Sequence, residues 1–319
     1  DKFDLKLLTA LNALLTERSV SGAAWRTHVS QCTMSGILRR LRDYFDDELL
    51  VVAGRYMVLT PRAEELAEPV RETLHLIKSR ITTPPHFDPA TSNRRITIQS
   101  SEYSTSVVLA PALRAFATLA PELSFEILKV DLTSNSSLEQ GEVDLFLSLA
   151  HHASPMHPVR RLFEDDFVGI VAATNSSVGQ SMTSDQFFAS QHVVVQIARG
   201  AHPFAEQWLQ ATFGSQRRIA VVASTYTDVP KFVAETSRIA VIPRRLAMQL
   251  TATMPIRIVP LPVEIPAVRH IVQWHKSDAA DAGILWLVEQ ISAMTGESAG
   301  PDPDRPDPPL PRGLVPARG

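Results

Sequence analysis

The sequence predicts an α+β multidomain chain, on three observations. Three short amphipathic helix patterns and a hairpin pattern fill residues 1–60. One long helical repeat with a narrow apolar stripe follows over 61–83. Past a Thr-Thr-Pro-Pro stop, strand and helix patterns alternate to residue 295, the mark of α/β architecture with mostly parallel sheets.

Each element has its own warrant. Leu5, Leu8, Leu11, Leu14 and Leu15 recur at helical spacing over 4–16. Ser19 is an N-cap for a second helix, whose Ala23 and Ala24 let another helix approach closely. Ser30 caps a third helix running to Phe45, with Met34, Ile37, Leu38, Leu41 and Phe45 as its apolar stripe. Leu49–Val52 and Tyr56–Leu59 flank Ala53-Gly54-Arg55 as a hairpin. Thr60-Pro61 opens the long helix, in which Pro69 is expected to kink or weaken the turn around it. Strands are expected at Arg95–Gln99, Ser124–Val130, Val143–Ser148, Phe167–Ala172, His192–Gln196, Arg218–Ala223, Arg238–Ile242 and Val268–Trp274. Helices are expected near 105–119, 203–212, 228–236, 244–251 and 279–294. Residues 300–319 hold seven prolines and read as a disordered tail.

Composition narrows the function. The 319 residues suggest two or three domains at roughly 100–200 residues each. A hydrophobic share of 45% supports a buried core, and a net charge of −3 excludes a protein that coats DNA by charge alone. Cys32 is the single cysteine, so internal disulfides and multi-cysteine zinc sites are excluded. No run of about 18 apolar residues marks a membrane helix, and Asp1-Lys2-Phe3-Asp4 is not a signal peptide, so a cytoplasmic location is expected. The chain does not begin with Met, so a few residues before Asp1 are expected to be missing.

Between Arg18 and Arg42 lie five arginines and no acid, a local basic patch. With the three helices and the hairpin, this patch reads as a winged helix-turn-helix. Gln31 and Thr33 would reach base edges, while Ser35, Arg39 and Arg42 would hold phosphates. The residues alone leave open a small helical dimerisation domain whose arginines are only solvated.

Residues 4–81 resemble the N-terminal region of the LysR-type transcriptional regulators. The resemblance rests on Asp4-Leu5-Lys6-Leu7-Leu8, Glu17-Arg18-Ser19-Val20-Ser21-Gly22-Ala23-Ala24, Val29-Ser30-Gln31, Met34-Ser35, Leu38 to Arg42 and Leu59-Thr60-Pro61-Arg62-Ala63. The remainder resembles the effector domain of the same family, in the branch of NodD, LinR and DntR. It does so through Phe87-Asp88-Pro89-Ala90-Thr91-Ser92, Gly141-Glu142-Val143-Asp144-Leu145, Glu206-Gln207-Trp208, Gln216-Arg217-Arg218-Ile219, Arg238-Ile239-Ala240, Pro255-Ile256-Arg257-Ile258 and Gln273-Trp274-His275.

The resemblance implies a winged helix-turn-helix over 1–60, a linker and dimerisation helix over 61–83 and a hinge over 84–92. It further implies a two-subdomain, periplasmic-binding-like effector domain over 93–295, with 93–164 and 268–295 as one half and 165–267 as the other, before the tail at 296–319. The function implied is DNA-binding transcriptional regulation in response to a small aromatic or phenolic inducer, for catabolic or symbiosis-type genes. Promoter double-stranded DNA, a second copy of the chain in dimers and tetramers, and RNA polymerase are the implied partners. Neither a membrane nor a cofactor is implied.

DNA contacts are expected at Ser30, Gln31, Cys32, Thr33, Ser35, Arg39, Arg42 and Arg55, and dimer contacts at Leu66, Val70, Leu74 and Ile77. Effector contacts are expected at Ser100, Ser101, Glu102, Tyr103, Gly200, His202, Thr225, Tyr226 and Trp274, in loops that follow strands. The chain departs from the family pattern at Cys32-Thr33, where proline commonly follows Ser-Gln, and at Leu49-Leu50-Val51-Val52, where the wing lacks a basic residue.

Other motifs carry less. His151, His152 and His157 read as a solvated loop rather than a metal site. Gly296-Glu297-Ser298-Ala299-Gly300 matches a nucleophile elbow, but it follows a helix and no histidine lies beyond His275, so an enzyme is not expected. The rival reading is a small-molecule binding protein with a non-functional N-terminal module.

Overall fold

The computed structural model describes residues 3–77, 81, 86–130, 136–197 and 201–296. The chain divides into two compact units, with the boundary between Phe87 and Asp88.

In the first unit, capping residues set the helix starts. The Asp4 carboxylate accepts the Leu7 N–H at 2.8 Å and opens α1 (Leu5–Glu17). Ser19 accepts the Gly22 N–H at 3.2 Å and opens α2 (Val20–Arg26). Ser30 opens α3 (Gln31–Phe45). The strands β1 (Leu50–Ala53) and β2 (Tyr56–Leu59) pair antiparallel, with Ala53 opposite Tyr56. Gly54, at φ +66, takes the first central place of the two-residue turn, where a side chain would be strained. Thr60 opens α4 (Pro61–Ile77): its hydroxyl accepts the Ala63 N–H at 3.1 Å and donates to Asp47 at 2.6 Å. That bond, with the Leu49 N–H, holds the Asp47 carboxyl below its ordinary value. The helix runs on through Pro69.

Leu7, Leu11, Leu14 and Leu15 of α1 form one core with Ala23 and Ala24, Met34, Leu38, Leu41, Leu49 and Leu50. Each fully buried leucine or methionine there contributes roughly 1.5–3 kcal/mol of hydrophobic stabilisation. Part of the apolar stripe of α4 packs on this core, while Leu66, Leu74 and Ile77 keep part of their surface exposed. Val70 is 5% exposed within it, and Leu66 and Leu74 pack against it. α1 of the same chain is the element that α4 packs against on this side. Ile77 is half-buried at the helix end. Of the expected hinge, residues 84 and 85 lie outside the described residues.

The second unit holds two five-stranded sheets, ordered β4-β3-β5-β12-β6 and β11-β7-β10-β8-β9. The first comprises β3 (Arg95–Ser100), β4 (Ser124–Lys129), β5 (Leu145–Leu149), β6 (Val159–Asp165) and β12 (Val268–Gln273). The second comprises β7 (Phe167–Ala172), β8 (Gln191–Val195), β9 (Arg218–Ala223), β10 (Ile239–Pro243) and β11 (Ile256–Val259). After β3, the short α5 (Glu102–Ser104) continues through a π-helical turn at Thr105–Leu109 into α6 (Ala110–Leu119). The remaining helices are α7 (Ser136–Glu139), α8 (Ser184–Ala189), α9 (Phe204–Phe213), α10 (Val229–Val233), α11 (Arg244–Thr251) and α12 (Ala282–Met294). The chain leaves the first sheet at Asp166 and returns to it between β11 and β12.

Neither sheet is mostly parallel, which corrects the sequence reading. β12 runs antiparallel to both β5 and β6, and β7 runs antiparallel to both β10 and β11. β7 is buried at all six positions, so its unbroken apolar run looks like a parallel strand. The strands β6 and β11 were not expected. Gly169 of β7 faces Val259 of β11, where an added Cβ would stand 2.9 Å from the valine side chain. Among buried ion pairs, Arg217 and Glu206 meet at 2.7 Å.

Candidate DNA-binding face and ligand site

Met34, Leu38 and Leu41 anchor α3 to its core, so the intervening positions face outward. Ser30, Gln31, Cys32, Thr33, Ser35 and Arg39 are all exposed, and they crowd the N-terminal turns of the helix. Ser30 and Thr33 are coupled: their hydroxyls share a bond of 2.8 Å, and the Ser30 oxygen also accepts the Thr33 N–H. The turn that presents α3 passes through His28 at φ +54, a left-handed position unusual for a side-chain-bearing residue. Arg55 is exposed at the wing tip.

Arg42 is placed differently from the expectation. Its Nε donates to the Glu48 carbonyl and its Nη2 to the Leu50 carbonyl, both at 2.8 Å, and it meets the Glu48 carboxylate at 3.0 Å. The guanidinium is thus a strut that ties α3 to the wing rather than a side chain extended toward a phosphate. The sequence reading also missed exposed groups near this face. Arg40 stands exposed beside Arg39, Trp25 on α2 is 82% exposed, and Tyr56 beside Arg55 is 78% exposed.

The second candidate site lies where the two sheets of the second unit meet. β3 and β5 are parallel, with Ser100 opposite Leu147, so their carboxyl ends share one edge. At that edge Ser101 caps α5, accepting the Ser104 N–H at 3.1 Å, while buried Ser100 turns its hydroxyl to the Ser101 carbonyl. Glu102 reaches the other sheet's side: its carboxylate accepts the Tyr226 N–H at 2.9 Å and the Thr227 N–H at 3.0 Å. Tyr103 is buried and donates to Asp165 at 2.5 Å, and Asp165 also accepts the Arg245 N–H at 3.2 Å. Burial pushes the Asp165 carboxyl and the Tyr103 and Tyr226 phenols up. Thr225 donates to Asp228 at 2.7 Å, and His202 is half-buried with its carbonyl taken by Gln207. Gly200 lies outside the described residues.

Trp274 is not part of this cluster. Because β12 is antiparallel, His270 pairs with Leu149 at the edge just described, while Gln273 pairs with Phe146 toward the other end. Trp274 continues that way, and its N–H meets the Pro158 carbonyl ahead of β6. The strand polarity places His270 where the sequence reading placed Trp274. His270 packs against Tyr103 at 4.8 Å and Phe163 at 4.7 Å between ring centroids.

The histidine loop also differs from its reading. His151 and His152 are exposed, but His157 is buried, packs on His275 at 4.8 Å and accepts the Lys276 N–H. Among the described residues no group of three or more His, Cys, Asp or Glu side chains could hold a metal ion. No helix of the described residues is long and apolar enough to cross a membrane. Gly296 follows α12, and Ser298 lies outside the described residues.

Comparison with known proteins joins the two faces. Residues 5–64 match the family model of the bacterial regulatory helix-turn-helix protein, lysR family. Residues 89–295 match the LysR substrate binding domain. The chain is 36% identical over 296 residues to nodulation protein D 1 of Mesorhizobium japonicum, covering 92% of this chain and 94% of that protein. It is 37% identical over 300 residues to nodulation protein D 2 of Rhizobium leguminosarum bv. phaseoli, covering 93% and 94%. A full-length OxyR variant from Pseudomonas aeruginosa shares the fold with a TM-score of 0.65 at 17% identity, covering 91% of this chain and 98% of that one. Full-length CbnR, solved with its target DNA, shares it with a TM-score of 0.55 at 18% identity, covering 92% and 100%. With both of its units matched and its nodulation relatives aligned almost end to end, the chain belongs to the LysR family of DNA-binding transcriptional regulators.

Proposed function

We propose that the protein switches promoter activity when a small aromatic or phenolic molecule enters the site where the two sheets of its second unit meet. The N-terminal unit binds promoter DNA, with Gln31 and Thr33 toward base edges and Arg39 and Arg55 toward phosphates. The nodulation relatives support symbiosis-type target genes. The active species on this reading is a dimer or tetramer working with RNA polymerase in the cytoplasm. The ligand acts by preferring one arrangement of the halves, since a ligand indifferent to the two shifts nothing.

The observation that carries this reading is the α3 N-terminal face. Five small or polar side chains, with Arg39 on the same helix and Arg55 on the wing, are left in water, while the apolar side of α3 packs on the core. The test is binding of the full chain to its own upstream DNA and to random DNA across a salt series. A specific complex that outlasts the random one as salt rises supports the reading. Equal, weak binding to both, lost together with salt, overturns it.

A further inference from the structure

His270 is 5% exposed, and neither of its ring nitrogens meets a hydrogen-bond partner among the described residues. Buried polar atoms are almost always partnered, so two orphans on one ring call for an explanation. Packing does not supply one. The ring stacks on Phe163 at an interplanar angle of 14° and tilts against Tyr103, contacts that a phenylalanine would make without two buried polar atoms. The neighbours that could have bonded it are committed elsewhere. The Tyr103 hydroxyl donates to Asp165, and the Arg245 guanidinium lies 4.2 Å over the Phe163 ring and donates to the Thr295 carbonyl.

We propose that His270 is a specificity-determining contact for the effector, a ring nitrogen bonding a neutral hydroxyl group and selecting against a carboxylate. This deepens the regulator reading and rests on it. A neutral imidazole offers one N–H and one lone pair on diverging sides of the ring, and a hydroxyl can answer either of them. A carboxylate only accepts, so it can answer the N–H but never the lone pair unless the ring becomes imidazolium. Burial, with Arg245 and His151 nearby, holds the His270 pKa down to about 3, so that form is not at hand near neutrality. Local charge is mixed, with Glu102 and Asp165 as acids and Arg245 as a cation at this edge, so the selection lies in the hydrogen-bonding capacity of the ring. The position agrees: His270 sits between Leu149 and Phe163 at the carboxyl end of the parallel strands, where open α/β sheets take ligands.

The test uses the full-length wild type and two variants, His270→Leu and His270→Phe, the second guarding against a size effect of the first. Ligand-free thermal unfolding comes first. An orphaned pair of nitrogens predicts that at least one variant unfolds at or above the wild-type midpoint at neutral pH. Matched probes come second: 1-naphthol should raise the wild-type midpoint and 1-naphthoate should not, with 1-naphthol affinity falling on the order of ten-fold in the variants. Both variants unfolding well below wild type would overturn the proposal, because the nitrogens would then be serving the fold. So would 1-naphthol failing to shift the wild type, or shifting wild type and variants alike. Upstream-DNA binding by the same wild-type samples keeps the two readings apart. If that binding is selective, the regulator reading stands even where the His270 contact fails.

Discussion

The Glu102 carboxylate grips the backbone of Tyr226, and through Thr227 it grips two successive N–H groups. Glu102 opens the helical segment after β3 in the first sheet's half, while Tyr226 follows β9 in the second sheet. The pair is therefore a clasp between the two halves of the second unit. An ionised acceptor for two backbone donors is among the stronger hydrogen-bond arrangements available to a protein.

Glu102→Ala should release that clasp. Hydrogen bonds to charged groups are worth about 1.5–3 kcal/mol each, so the loss is expected at the upper end of that range for the pair, discounted for the half-exposed setting. Glu102→Gln keeps one acceptor oxygen and should fall between alanine and wild type. Amide hydrogen exchange at Tyr226 and Thr227 reads the effect locally. Unchanged protection in Glu102→Ala would mean that other contacts hold the two halves together.

Arg39 and Arg42 should separate cleanly. Arg42→Ala removes two hydrogen bonds and an ion pair that fix the wing, so it should destabilise the protein by roughly 1–3 kcal/mol in urea. Arg39→Ala should leave stability within about 0.5 kcal/mol, because the side chain stands in water. On DNA, Arg39→Ala should weaken all sequences alike and lower the salt slope by about 0.9, the signature of one lost phosphate contact. Gln31→Ala should instead cost about 1–3 kcal/mol on the specific site alone.

What the sequence showed and what it hid follow from range. Caps and periodicity are local, so the Ser19, Ser30 and Thr60 starts and the core face of α3 could be read directly. Strand direction is not local. The apolar runs of β7 and β12 look alike whichever way their neighbours run, and the Trp274 assignment failed on that point while His270 escaped notice. Arg42 looked like its neighbour Arg39, and only the fold of the wing back onto α3 revealed the carbonyls it serves. The α4 stripe has the spacing of a two-chain seam, and periodicity alone does not show that part of it also packs on α1 of the same chain.

Val70→Ala removes two methyl groups from the core of the first unit, at a cost of roughly 1–3 kcal/mol. The loss should appear in urea unfolding at every protein concentration. Wild-type stability in that variant would mean that Val70 does not anchor α4 in the core of its own unit.

Acid should weaken the fold through two buried histidines. His192 is held down to about 4 and His270 to about 3, in each case chiefly by burial, against 6.5 in the unfolded chain. His192 is structurally partnered, its Nε2 donating to the Phe187 carbonyl at 2.8 Å, whereas His270 is not. Both enter the native state neutral. As pH falls below 6.5 the unfolded chain takes up protons that the native state refuses, so stability is full above 6.5 and is lost toward pH 4. Each histidine should contribute roughly 1 kcal/mol per pH unit within that window. Asp165 opposes them, because its raised pKa lets the native state bind a proton before the unfolded chain does. Urea midpoints at pH 7.5 and pH 5 measure the sum. His270→Leu should flatten the slope by one proton's worth, so its advantage over wild type should grow as the solution is acidified. A wild-type midpoint that did not move between those two values would show that both rings can be protonated in place.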